Sequence, residues 1–240
     1  MSLARFVRRA ATRLLRGPAE SLPDDEYLRW LSFANAGMLH PGNVRCFEHA
    51  LAALPSDAPL IEIGSFCGLS TNVLVHLLRK SGRPNALITC DPWIFEGAQG
   101  DATISGSPVR HSDYRTFVRE SFLRNVRFFS GDRLPFSIER TASDLFAAWR
   151  RGEAVTDVFG RNVTLGGPIA FAYVDGDHRY DAARLDFENC DAHLVPGGFL
   201  LFDDSADGSD WEVNRLAREV QRSQRYELVL RNPNYFFRKR

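Results

Sequence analysis

The sequence has no apolar run approaching the ~18–20 residues needed to span a bilayer, and its first residues lack the uninterrupted apolar core of a secretory signal. Cysteine is scarce. Cys46, Cys67, Cys90 and Cys190 form no Cys-x-x-Cys pair, and none has a histidine at zinc spacing. A zinc ribbon and a disulfide scaffold are thereby excluded, and a reducing, cytoplasmic setting is expected. Net charge is absent as well: 30 basic and 30 acidic side chains cancel, so nucleic acid is not the expected partner. Neither Gly-x-Gly-x-x-Gly nor Gly-Lys-Ser/Thr follows a strand-like run, which disfavours dinucleotide and triphosphate ligands.

One local departure from this balance lies in residues 1–16. There Arg5, Arg8, Arg9, Arg13 and Arg16 interleave with Leu3, Phe6, Val7, Leu14 and Leu15. A helix of that pattern is suited to peripheral contact with a membrane surface, although a solvated or frayed terminus is the commoner outcome. A length of 240 residues suits one large α/β domain, and a homo-oligomer is left open.

What is present is an alternation of short apolar runs with helical periods. Pro59–Gly64 reads as a strand, followed by a helix with Val73, Leu74, Leu77 and Leu78 on one face, and Ala86–Asp91 reads as a second strand. The run 125–132 (NVRFFSGD) is expected as the third, 169–177 as the fourth and 198–204 as the fifth. Ala183, Phe187, Cys190 and Leu194 mark a helix between the last two. Ser209 with Glu212 predicts a capping box for another helix through Val220, and residues 226–232 and 234–239 predict a terminal antiparallel hairpin. Strands alternating with helices imply a parallel sheet.

The expected domain division is a helical N-terminal extension over 1–58 and a ligand-binding domain over 59–240. Insertions fall at about 92–113, a polar lid or binding loop, and at 133–168, a helix near 143–150 with a hairpin over 155–165. Acceptor choice is expected to lie in these insertions.

Chemistry is expected at the carboxyl ends of the strands. Glu62-Ile63-Gly64-Ser65-Phe66-Cys67-Gly68 ends a strand and opens a helix, where free backbone N–H groups and glycine allow a ligand close to the main chain. Glu62 there suits the amino group of a methionine moiety and would repel a diphosphate. A tight turn explains the two glycines equally well when they are taken alone. Asp91 ends the second strand, where it can accept hydrogen bonds from ribose hydroxyls, and Asp132 is expected near an adenine amino group; either can also serve as a turn cap. Trp93 or Phe95 is a candidate to cover the adenine, and core packing is the alternative.

These residues resemble the class I S-adenosylmethionine-dependent methyltransferases, in the branch of sugar and macrolide O-methyltransferases and cephalosporin-hydroxylase-like proteins, over residues 59–238. The resemblance implies a Rossmann-like, doubly wound seven-stranded sheet in the order 3-2-1-4-5-7-6, with strand seven antiparallel.

Asp175, Asp177 and His178 end the fourth strand and Asp203 and Asp204 the fifth. Carboxylates gathered at one sheet edge repel one another unless protonated or bridged, and oxygen ligands select a hard cation such as Mg2+. Asp175, Asp203 and Asp204 are therefore the expected metal ligands, and His178 the general base that activates an acceptor hydroxyl; the resemblance implies the same roles. Asp177 and Asp181 read as helix-start carboxylates, while His40 and His111 are weaker candidates for ligand contacts. The expected function is Mg-assisted O-methylation of a small hydroxylated acceptor such as a saccharide. Methylation of a phenol or amine without metal, and a nucleotide-binding oxidoreductase, are the alternatives.

Overall fold

The computed structural model describes residues 22–94, 102–104 and 107–240. Residues 1–16 and Phe95, candidates for membrane contact and for covering an adenine, lie outside that range. Seven strands form the sheet: β1 (Leu60–Ile63), β2 (Leu87–Cys90), β3 (Phe136–Ile138), β6 (Ile169–Val174), β7 (Leu194–Phe202), β8 (Tyr226–Arg231) and β9 (Tyr235–Lys239). A separate antiparallel hairpin joins β4 (Ala154–Thr156) to β5 (Asn162–Thr164). The sheet runs β3-β2-β1-β6-β7-β9-β8. With the hairpin set aside, this is the expected 3-2-1-4-5-7-6, and the last strand, β9, is antiparallel to β7.

Both sheet faces are covered, which explains why the central strands read as nearly continuous apolar runs rather than as alternations. On one face Leu200 and Phe202 of β7 pack with α5 (Ala142–Arg151), α6 (Tyr180–His193) and α7 (Val213–Arg222). The alternate residues Phe199 and Leu201 face α1 (Glu26–Ala34), α2 (Pro41–Ala52) and α3 (Leu69–Lys80). No helix among the described residues is long and apolar enough to cross a membrane.

Two local expectations are corrected. Residues 125–130 are not a strand but the end of α4 (His111–Ser130), whose buried positions Val118, Phe122, Val126 and Ser130 repeat every four residues. The third strand is instead the three-residue β3, downstream of a 3-10 turn over Gly131–Arg133. The capping box also does not form. Ser209 Oγ accepts from Trp211 N–H (3.2 Å), and the Glu212 carboxylate accepts from Tyr180 N–H (2.8 Å), thereby capping α6 rather than its own helix.

Candidate active site

The turn after β1 is built around two left-handed glycines. Gly64 has φ +83°, and a Cβ there would sit 1.9 Å from the Asp175 carbonyl oxygen. Gly68 has φ +86° and forms the N-cap of α3. Glycine is thus required twice, by conformation and by the approach of the neighbouring strand end. Asp91 braces the turn: Oδ2 accepts from Ser65 N–H (2.8 Å) and Phe66 N–H (2.9 Å), and Oδ1 from Trp93 N–H. Burial raises the pKa of Asp91 against the effect of these three bonds.

Two buried polar atoms beside the turn have no partner. Glu62 is fully buried; its Oε2 accepts from Thr71 Oγ1, while Oε1 is unsatisfied. Burial raises its pKa to about 7 against the lowering influence of the nearby Ser70 and Thr71 hydroxyls. Ser65 Oγ is the second orphan. Such atoms are costly to leave unpaired in a folded interior, so the turn has unused capacity to hold a polar ligand.

Asp132 and Trp93 do not join this cradle. Asp132 lies in the turn preceding β3, at the opposite end of the strand from the ligand edge, where its exposed carboxylate pairs with Arg79. The misplaced third strand accounts for that error. Trp93 is only 1% exposed, packs with Cys67, Val118, Phe122 and Val126, and donates Nε1–H to the Phe66 carbonyl (3.0 Å). It is a support beneath the turn rather than an open face for an adenine.

At the ends of β6 and β7 the structure brings Asp175, His178 and Asp204 together, with one potential ligand atom from each lying within 4.8 Å of the others. His178 Nε2 is 3.0 Å from Asp204 Oδ2 and 3.9 Å from Asp175 Oδ1. Asp175 titrates well above the carboxylate range because it is buried and because Asp203 is near. The neighbouring Asp175 and Asp204 carboxylates raise His178 to about 10. The two flanking carboxylates thus favour the protonated imidazole.

Asp203, expected as a metal ligand, is not in that group. It is 6% exposed; Oδ1 accepts from Asn43 (2.9 Å), Asn234 and Asp204 N–H (2.9 Å), and Oδ2 from the Tyr173 hydroxyl. Four donors occupy its oxygens, making it the hub of a buried network. Asn43, Tyr173 and Asn234 were missed by sequence reasoning because they lie far apart in the chain on elements that meet only in the fold.

The cluster adjoins a cleft of about 880 Å3 whose lining includes Met38, His40, Asp204, Asp210 and Trp211. Trp211, also unanticipated, has its ring centroid 4.7 Å from that of His178. His40 caps α2, accepting Gly42 N–H through Nδ1 (3.0 Å). His111 opens α4 and does not line this cleft. Asp177 pairs with Arg179.

A sheet in this strand order, with a glycine turn after its first strand and carboxylates at the ends of β6 and β7, defines the class I fold of S-adenosylmethionine-dependent methyltransferases. Residues 61–205 match the family Methyltransf_24, described as a methyltransferase domain, and the chain belongs to that family. No curated protein matches it by sequence. Among solved structures it resembles CalS11, the calicheamicin methyltransferase, at 17% identity and TM-score 0.55, covering 99% of this chain and 93% of the other. It also resembles the O-methyltransferase NovP, at 16% identity and TM-score 0.57, with coverage of 99% and 97%. TomG of Streptomyces achromogenes, an O-methyltransferase of tomaymycin synthesis, matches at 15% and TM-score 0.51, again covering 99% and 97%. At these identities the likeness is one of fold.

Proposed function

We propose that the protein transfers the methyl group of S-adenosylmethionine to a hydroxyl of a sugar or other polyhydroxylated natural product, assisted by a divalent cation such as Mg2+. The observation that carries this reading is the meeting of Asp175, His178 and Asp204 at the edge of the large cleft, on the same sheet edge as the Gly64 turn. Solved relatives include a TDP-rhamnose 3'-O-methyltransferase and an O-methyltransferase in complex with S-adenosylhomocysteine, which is consistent with such chemistry.

In this reading the orphaned Glu62 Oε1 and Ser65 Oγ receive polar groups of the methionine moiety, and Asp91 has acceptor capacity left for a ribose hydroxyl. The two carboxylate oxygens fit a hard cation, which would be held by Asp175 and Asp204. Bound there, it would offset the carboxylate charge and stabilise the acceptor's developing alkoxide. With the carboxylate charge so offset, His178 would release its own proton to solvent and could then take the hydroxyl proton at Nε2. Trp211 and Met38 supply apolar surface for the acceptor ring, and the remaining requirement is alignment of the hydroxyl with the methyl donor.

A metal-free route also has an observation in its favour, since His178 Nε2 lies 3.0 Å from Asp204 Oδ2 and would offset its charge when protonated. The deciding experiment is methyl transfer from S-adenosylmethionine to a panel of glycosides, catechols and amines, with added Mg2+ or after exhaustive chelation. Turnover of glycosides that vanishes on chelation and returns with Mg2+ is the expected result. Preferred turnover of catechols or amines, or activity indifferent to chelation, would overturn it.

A further inference from the structure

We propose that Arg218, Arg222 and Arg231 form an anion subsite beside the acceptor cleft, which holds a phosphate or diphosphate carried by the acceptor. The inference rests on the reading of the large cleft as the acceptor site. A second pocket of about 300 Å3, lined by Asp207, Arg218, Gln221, Arg222, Arg231 and Tyr235, shares Asp207 with the large cleft. Arg218, Gln221 and Arg222 fall at spacings of three and four on α7, hence on one face. Arg231 ends β8 and Tyr235 opens β9, so the hairpin supplies the opposite wall.

The charges do not balance. Three guanidinium groups and one carboxylate line this pocket, and the Glu219 carboxylate, which bonds Tyr180 and Arg215, is a further counter-charge within reach of Arg222. Asp207 Oδ1 accepts from Tyr235 OH (2.8 Å) and Arg218 (3.0 Å), and Oδ2 accepts from Arg231. Arg222 donates Nε–H to the Arg218 carbonyl (3.2 Å), and its two terminal amino groups have no hydrogen-bond partner among the described residues. One arginine would suffice to neutralise Asp207; three leave guanidinium donors in the fork geometry that suits phosphate.

The large cleft has the opposite character. Asp204, Asp207 and Asp210 line it, and no lysine or arginine does so among the described residues. A phosphate is therefore repelled from the carboxylates near His178 and attracted across Asp207 to the arginines. An acceptor with hydroxyls at one end and phosphate at the other can lie in only one direction along this gradient, which selects the hydroxyl presented for transfer. The substrate class that fits is a sugar phosphate or nucleoside diphosphate sugar, formed before glycosyl transfer.

The probe is inorganic pyrophosphate, titrated calorimetrically into the full chain at low ionic strength with chelator present, so that no divalent ion bridges it to the Asp175 group. We expect saturable one-to-one binding, weakened about tenfold or more in Arg222→Gln, a change that leaves all bonds of Asp207 in place. A second arm compares thermal stabilisation by a nucleoside diphosphate hexose with that by the methyl glycoside of the same hexose. Greater stabilisation by the diphosphate, lost in Arg222→Gln, assigns the subsite to the acceptor rather than to free phosphate. No saturable binding, binding unchanged in Arg222→Gln, or no advantage of the diphosphate sugar would overturn the proposal. Chelation-sensitive methylation of neutral glycosides alongside such a result would sink the subsite while leaving the proposed function standing.

Discussion

The Asn43 side-chain amide donates a hydrogen bond of 2.9 Å to the Asp203 carboxylate, linking the first turn of α2 to the end of β7 across 160 positions of sequence. Asn234, in the turn between β8 and β9, donates to both Asp203 Oδ1 and Asn43 Oδ1 (3.0 Å for the latter). Asp203 precedes Asp204 directly, so this network fixes the backbone that presents Asp204 to His178. Gly42 belongs to the same contact, because a Cβ there would fall 1.7 Å from the Asn232 carbonyl oxygen.

Replacing Asn43 by Ala should cost about 2–3 kcal/mol, because it removes a donor from a buried carboxylate. For a chain of this size that corresponds to a fall of roughly 4–12 °C in Tm. Thermal unfolding of Asn43→Ala checks it; an unchanged Tm would show that Asp203 does not need this donor.

Much of the site's location was legible from residue type at strand ends: Gly64, Asp91, Asp175 and Asp204 each close a run whose apolar residues had already placed it in the sheet. The third strand was not. Val126, Phe128 and Phe129 give a β-like apolar run, but only the four-residue repeat from Val118 to Ser130 reveals the helix. Phe128, exposed in the structure, belongs to the other face. The distinct roles of Asp203 and Asp204 were illegible for a different reason. Both follow Phe202, the last residue of β7, in a turn where Asp204 takes a left-handed φ of +49°, and only the packing of α2 and the terminal hairpin determines which of the two becomes a buried hub.

Gly64→Ala should abolish binding of S-adenosylhomocysteine. The methyl group cannot avoid the Asp175 carbonyl, and its left-handed backbone adds a strain of about 1–2 kcal/mol. The turn must therefore move, carrying the Ser65 and Phe66 amides off Asp91. Thermal-shift titration checks this: the variant should show none of the wild type's ligand-induced increase.

Asp186 provides a pH-dependent test outside the site. Burial raises its pKa to about 7, with Asp177 adding repulsion, above the unfolded value near 3.8. The folded state thus holds the proton more tightly. This contribution to stability is fully present below pH ~4 and is lost as pH rises through about 7. Asp186→Asn should therefore be more stable than wild type at pH 8, by on the order of 2–4 kcal/mol, with the advantage shrinking towards pH 5. Denaturant unfolding across that range reads the difference, and a pH-independent offset would contradict the cause given.

The last prediction separates the two halves of the proposed site. Asp204 has φ +49°, a left-handed conformation that asparagine tolerates better than most residues, so Asp204→Asn removes charge while sparing the backbone and its N–H bond to Asp203. Loss of that charge deprives a cation of one of its two carboxylates and deprives His178 of its closer partner. Mg2+-dependent thermal stabilisation should disappear, and methyl transfer should fall by about a hundredfold. Binding of S-adenosylhomocysteine should remain, because Glu62, Gly64 and Asp91 are untouched. Calorimetric titration of each ligand into the variant distinguishes the outcomes. Retained Mg2+ binding would remove Asp204 from the metal site, whereas joint loss of both ligands would indicate that the two strand ends act as one structural unit.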